Sequence, residues 1–145
     1  MIKPRVSIVT LGTRDFDTMR NFYLSLGWRE ASSGENHSMF DTAGGILSLY
    51  ASDELAKDAN VESLTPNSGY SNFSLAINLE SKELVDATFE ELRALGVTIV
   101  KEPEEVFWGG YSGYFADPEG NLWEVAFNPY SRFDARGALD MSESE

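Results

Sequence analysis

Glu124 is the residue whose type and position most directly suggest chemistry. It stands in residues 122–127 (L-W-E-V-A-F), where every other position is apolar or aromatic. Such a composition reads as a strand buried in a sheet. A carboxylate in that setting costs several kcal/mol unless it is paired or lies where water or a ligand can reach it. Glu124 could therefore bind a ligand or transfer a proton. A cross-sheet partner would be the purely structural explanation.

Other candidates are small or aromatic. Ser7, Ser48 and Ser74 are small hydroxyl residues within strand-like segments, where they either leave room for a ligand or fill small gaps. Tyr50 ends the segment that carries Ser48. Trp108 and Tyr111 flank Gly109-Gly110, an aromatic pair around a glycine hinge of the kind that forms ligand lids, with edge-strand packing or a dimer contact as competing uses. These glycines do not make a phosphate loop, because the strand-loop-helix context and the lysine are missing. His37, the sole histidine, follows a hairpin turn and reads as a partly exposed strand residue.

Positioning these residues requires a particular run of elements. Residues 5–11 (R-V-S-I-V-T-L) are rich in β-branched side chains and predict a strand. Asp15 caps a helix carrying Phe16, Met19, Phe22, Tyr23 and Leu26 on one side, stopped by Gly27. Residues 28–33 and 37–41 form a hairpin around Gly34-Glu35-Asn36, and 46–50 (I-L-S-L-Y) form a fourth strand. A short polar helix over 52–60 and a linker over 61–71 follow. The order then repeats. Residues 73–78 are a strand, Ser81 caps a helix closed by Gly96, and 97–100 are a strand. Residues 101–105 read as a connection, and 106–107 with 111–115 as one strand interrupted by the glycines. Asp117-Pro118-Glu119-Gly120 is a turn, because proline fixes φ and glycine accepts a positive one, and 122–127 close the unit.

The fold class is thus α+β, with two tandem βαβββ modules over 5–60 and 72–129 within one domain of residues 1–131. Residues 132–145 are expected to be a frayed acidic tail.

Composition narrows the partners. The net charge is −13, from 11 Lys plus Arg against 24 Asp plus Glu. That balance repels phosphate backbones and anionic bilayers, so neither nucleic acid nor membrane is expected as a partner. Absence of cysteine removes disulfides, thiolate metal sites and thiol nucleophiles. No leader-like or membrane-length apolar run is present, and a cytoplasmic protein is expected.

The segments R-V-S-I-V-T-L, F-Y-L-S-L-G-W, G-G-I-L-S-L-Y and A-D-P-E-G-N-L-W-E-V together resemble the vicinal oxygen chelate superfamily. That family includes glyoxalase I, extradiol dioxygenases, methylmalonyl-CoA epimerase, and the fosfomycin and bleomycin resistance proteins. The resemblance implies paired modules curving around a cleft, with four inward positions that hold a divalent metal. Carried onto this chain, those positions fall at Ser7, Ser48, Ser74 and Glu124. A hydroxyl is a poor ligand for Zn, Ni, Mn or Fe, so no metal or other cofactor is expected. The expectation is a metal-independent small-molecule-binding protein similar to the bleomycin resistance members, using Ser7, Ser48, Tyr50, Ser74, Trp108, Tyr111 and Glu124. The alternatives are a metal-dependent lyase or dioxygenase resembling glyoxalase I, and a metal-free enzyme with Glu124 as general base. A homodimer is expected, because sheet edges need cover.

Overall fold

The structure is a computed structural model that describes residues 1–62 and 72–142. The chain divides into two compact units, Met1–Asn67 and Ser68–Glu145, with the boundary inside the expected linker. Most of that linker, residues 63–71, lies outside the described residues, as do residues 143–145.

Unit one runs β1 (Ile8–Thr13), α1 (Phe16–Ser25), β2 (Glu30–Ser33), β3 (His37–Asp41), β4 (Ile46–Ala51) and α2 (Ser52–Asp58). Its sheet has the order β1-β4-β3-β2, so the first strand pairs in parallel with the last, Ile8 opposite Ile46 and Leu11 opposite Leu49. Asp15 caps α1 by accepting the Thr18 amide at 3.2 Å and its hydroxyl at 2.8 Å. At the other end Gly27 adopts φ +82°, a conformation that a side chain would strain. Between these signals Met19 and Tyr23 are fully buried against the sheet. The Tyr23 ring lies 5.9 Å from Phe40 on β3 and 5.6 Å from Trp28. Each such aromatic contributes roughly 1.5–3 kcal/mol by leaving water.

Unit two repeats the order with β5 (Leu75–Leu79), α3 (Lys82–Ala94), β6 (Thr98–Glu105), β7 (Tyr111–Ala116) and β8 (Leu122–Phe127). Its sheet order is β5-β8-β7-β6, the same arrangement. Ser81 caps α3 by accepting the Leu84 amide at 3.2 Å, and Gly96 ends it at φ +73°. Val85, Phe89 and Leu92 form the buried stripe of this helix. Phe115 and Trp123 stack at 6.0 Å between β7 and β8. The turn before β8 forms as its residues predict. Buried Asp117 accepts the Glu119 and Asn121 amides at 3.0 Å each and the Asn121 side-chain amide at 2.8 Å.

Two expectations are corrected. Residues 101–105 are not a connection, and 106–107 do not continue into the strand at 111. β6 extends through Glu105, which pairs with Tyr111, and residues 106–110 make the hairpin loop. The charged run Lys101, Glu102, Glu104, Glu105 reads as a loop, but β6 is an edge strand, where charges and Pro103 are tolerated. The C-terminal segment is not frayed as far as it is described. Phe133 bridges Leu139, the Asp140 amide donates to the Arg132 carbonyl at 2.8 Å, and Asp134 accepts the amides of Arg136 and Ala138. A side-chain-capped turn holds what composition alone reads as disorder.

Candidate functional site

Strand register decides which side chains share a face. In unit two Gly113 fixes the helix side. A Cβ there would meet the Phe89 ring of α3 at 2.7 Å. Val125, opposite Gly113, and the stacked Phe115 and Trp123 therefore face α3. Alternation puts Glu124 on the far face, with Tyr114 as its partner on β7 and Ala76 on β5. Lys101 on β6 pairs with Tyr114 and extends the row across all four strands. Glu124 and Tyr114 are half-buried, whereas Ala76 is exposed. The Lys101 ammonium is held above its ordinary pKa, first by its hydrogen bond to Glu104 at 2.7 Å and also by the charges of Tyr114 and Glu124. The carboxylate of the apolar strand is thus not in the core; it stands on the side of the sheet that α3 leaves uncovered.

Ser74 lies just before β5 with the parity of Ala76, which is the parity of Glu124, and it is exposed. In unit one Ser48 occupies the far face, between Thr10 and Met39, and is 4% exposed. Tyr50 follows on the same face, paired with His37. His37 is half-buried, and its ring sits where a Gly34 side chain would be.

Ser7 is not on this face. It precedes β1, its carbonyl accepts the Ile46 amide at 3.1 Å, and its parity is that of Val9 and Leu11. Ile8 occupies the far-face position instead. Helix caps show why: Ser74 is seven residues before the cap Ser81, and seven residues before the cap Asp15 is Ile8. A shift of one residue moves a side chain to the other face of a strand.

Tyr111 is also misplaced by the sequence reading. It pairs with Phe127 and shares the parity of Gly113, so it lies on the α3 side. Its hydroxyl donates to Asp86 at 2.5 Å, and Lys82 stands 6.0 Å above its ring. The bond to Asp86 and burial together push its pKa up to about 12. Trp108 sits in the β6–β7 loop, 44% exposed, with its ring lying where a Gly110 side chain would be, 2.4 Å from an added Cβ. The paired glycines therefore act as a seat for the indole. Tyr114, opposite Glu124 on β7, follows from carrying alternation back across the turn.

The positions that the superfamily resemblance singles out for a metal carry Ile8 and Ser48 in unit one and Ser74 and Glu124 in unit two: one alkyl group, two hydroxyls and one carboxylate. Those donors do not fit a transition metal. Among the described residues no group of three or more His, Asp or Glu is placed to hold a metal ion. No helix among them is long and apolar enough to cross a membrane.

The family model of the Glyoxalase/Bleomycin resistance protein/Dioxygenase superfamily matches residues 5–125. The chain belongs to this superfamily. Among solved structures, a glyoxalase-related enzyme from Fulvimarina pelagi is 28% identical with a TM-score of 0.84, covering 97% of this chain and 100% of its own. A glyoxalase/bleomycin resistance protein/dioxygenase from Nocardioides is 27% identical at a TM-score of 0.78, covering 88% and 85%. Lactoylglutathione lyase from Agrobacterium tumefaciens, 19% identical at a TM-score of 0.69 and covering 88% and 96%, shares the fold. No curated protein matches the chain. Membership of the superfamily accounts for the repeated βαβββ order.

Proposed function

We propose that this protein is a metal-independent small-molecule-binding member of the superfamily, cytoplasmic and homodimeric. Its ligand is uncharged or cationic and partly aromatic, and it is held at the far face of unit two with Glu124 as the anchoring acceptor. The observation that carries this reading is the placement of Glu124. It is half-buried beside the exposed Ala76, on the sheet face that α3 leaves uncovered, and its superfamily counterparts are Ile8, Ser48 and Ser74. A carboxylate without metal-binding partners keeps its acceptor capacity for a ligand donor. The test is a binding screen of purified protein with aromatic amines, read by ligand-observed NMR, with Glu124→Gln alongside. Loss of the hits in Glu124→Gln supports the reading. Hits that bind the variant equally well would remove Glu124 from the site. Turnover of a hit that disappears in the variant while binding persists would make Glu124 a general base instead.

A further inference from the structure

Trp108 stands on the same side of the unit-two sheet as Glu124. Its loop is closed by two backbone hydrogen bonds, from the Val106 amide to the Gly110 carbonyl at 2.9 Å and from the Gly109 amide to the Val106 carbonyl at 3.0 Å. Gly110 immediately precedes β7, and alternation gives it the parity of Ser112 and Tyr114, the far-face residues of that strand. A Cβ built on Gly110 would come within 2.7 and 2.8 Å of Cζ3 and Cζ2 of the Trp108 indole. The six-membered ring of the indole therefore fills the far-face position of residue 110. Gly110 is buried, while Trp108 remains 44% exposed. Between the indole and Glu124 lies one pair of small residues. Ser112 on β7 stands opposite Ala126 on β8, and the next pair is Tyr114 with Glu124. The span from Gly110 to Tyr114 is roughly 13 Å by the rise of an extended strand. This track has a carboxylate at one end and an aromatic plate at the other, with only a hydroxymethyl and a methyl group between them.

We infer that Trp108 is a specificity-determining residue of this site, and that with Glu124 it selects elongated cationic ligands whose aromatic ring is separated from the donor nitrogen by a spacer. The inference rests on the binding reading of Glu124 given above. Glu124 accepts from the ammonium, the spacer crosses Ala126 and Ser112, and the ligand ring packs on the exposed part of the indole. Such an aromatic pair contributes beyond the area it buries. The seat on Gly110 holds the indole in place before the ligand arrives, so less side-chain freedom is lost on binding. An amine with its ring one carbon away reaches only one end of the track. The ligand class is therefore a long-chain arylalkylamine.

The experiment titrates benzylamine and 5-phenylpentylamine by ligand-observed NMR into the full chain as wild type, Trp108→Ala, Gly110→Ala and Glu124→Gln, and reads the ratio of the two affinities. Gly110 is not among the positive-φ glycines, so alanine suits its backbone and displaces the indole from its seat without removing it from the chain. The preference for the longer amine should be about three- to tenfold greater in wild type than in Trp108→Ala or Gly110→Ala, the gain expected of one aromatic pair. Glu124→Gln should weaken both amines. A preference that survives in either loop variant would overturn the role of the seated indole, and weakening of both amines in Glu124→Gln would then leave the anchor standing alone. Failure of wild type to bind either amine would overturn the anchor and this inference together.

Discussion

Glu124 and Tyr111 show how one strand position separates a ligand-facing side chain from a structural one. Glu124→Gln preserves shape and removes charge, so a bound aromatic amine should weaken by roughly 1–3 kcal/mol, the range for a lost charge-assisted partner. Isothermal titration of wild type and variant with the same amine measures this. Tyr111→Phe should behave differently. Its hydroxyl serves Asp86 on the α3 side, so the variant should lose less than about 1 kcal/mol of stability in chemical denaturation and bind the amine as wild type does. Sequence made Glu124 visible because a lone carboxylate in L-W-E-V-A-F has few explanations. It misdirected Tyr111 because aromatic-glycine-aromatic spacing says nothing of the side of the sheet. It placed Ser7 where Ile8 belongs, because β-branched strands look alike when slid by one.

At the scale of elements, unit one carries an ion pair that joins helix to sheet. Arg20 on α1 donates Nε and Nη2 to Glu30 on β2 at 2.6 and 2.8 Å, and the buried Ser38 on β3 donates to the same carboxylate at 2.5 Å. The Arg20 bond, chiefly, lowers the Glu30 pKa from 4.5 to about 2. Because the folded-state value is depressed, the stabilisation is present above about pH 4.5 and is lost as pH falls towards 2. Glu30→Gln should cost about 1–2 kcal/mol at pH 7, a figure reduced because the Arg20 side chain is 35% exposed. The gap between wild type and variant in urea melts should close as pH approaches 2. In unit two the turn before β8 depends on Asp117, whose carboxylate accepts three hydrogen bonds while buried. Asp117→Ala should cost roughly 3 kcal/mol, read as a shifted denaturation midpoint with unchanged slope. Caps, glycine stops and this turn were legible because short-range chemistry writes them. The β6–β7 hairpin was not, since edge strands tolerate the charge and proline that elsewhere mark loops, and the Arg20–Glu30 pair joins elements whose facing sides only the folded sheet defines.

For the whole molecule, the repeat of order β-α-β-β-β was legible because each copy carries its own cap, glycine stop and strand runs. The ligand was not, because recognition depends on side chains brought together from separate strands. Purified protein should contain no stoichiometric transition metal by elemental analysis after dialysis; one equivalent that vanishes in Glu124→Ala would favour the lyase reading. Sedimentation at micromolar concentration should show a homodimer, with a lone monomer as the contrary result.

The parallel pairing of first strand with last has a consequence for synthesis on the ribosome. In unit two β5 has β8 as its sheet neighbour, and β8 also carries β7, so an interior strand of this sheet is its last one translated. Until residues 122–127 emerge, β5 lacks its sheet partner β8 and the apolar stripe of α3 has only part of its sheet. Chain segments about fifty residues apart must meet before their contacts reward the closure, which slows the step and exposes apolar surface during it. A nascent chain stalled before β8 is therefore a candidate for chaperone capture, whereas unit one, closed once Ala51 is out, can fold while its twin is still being made.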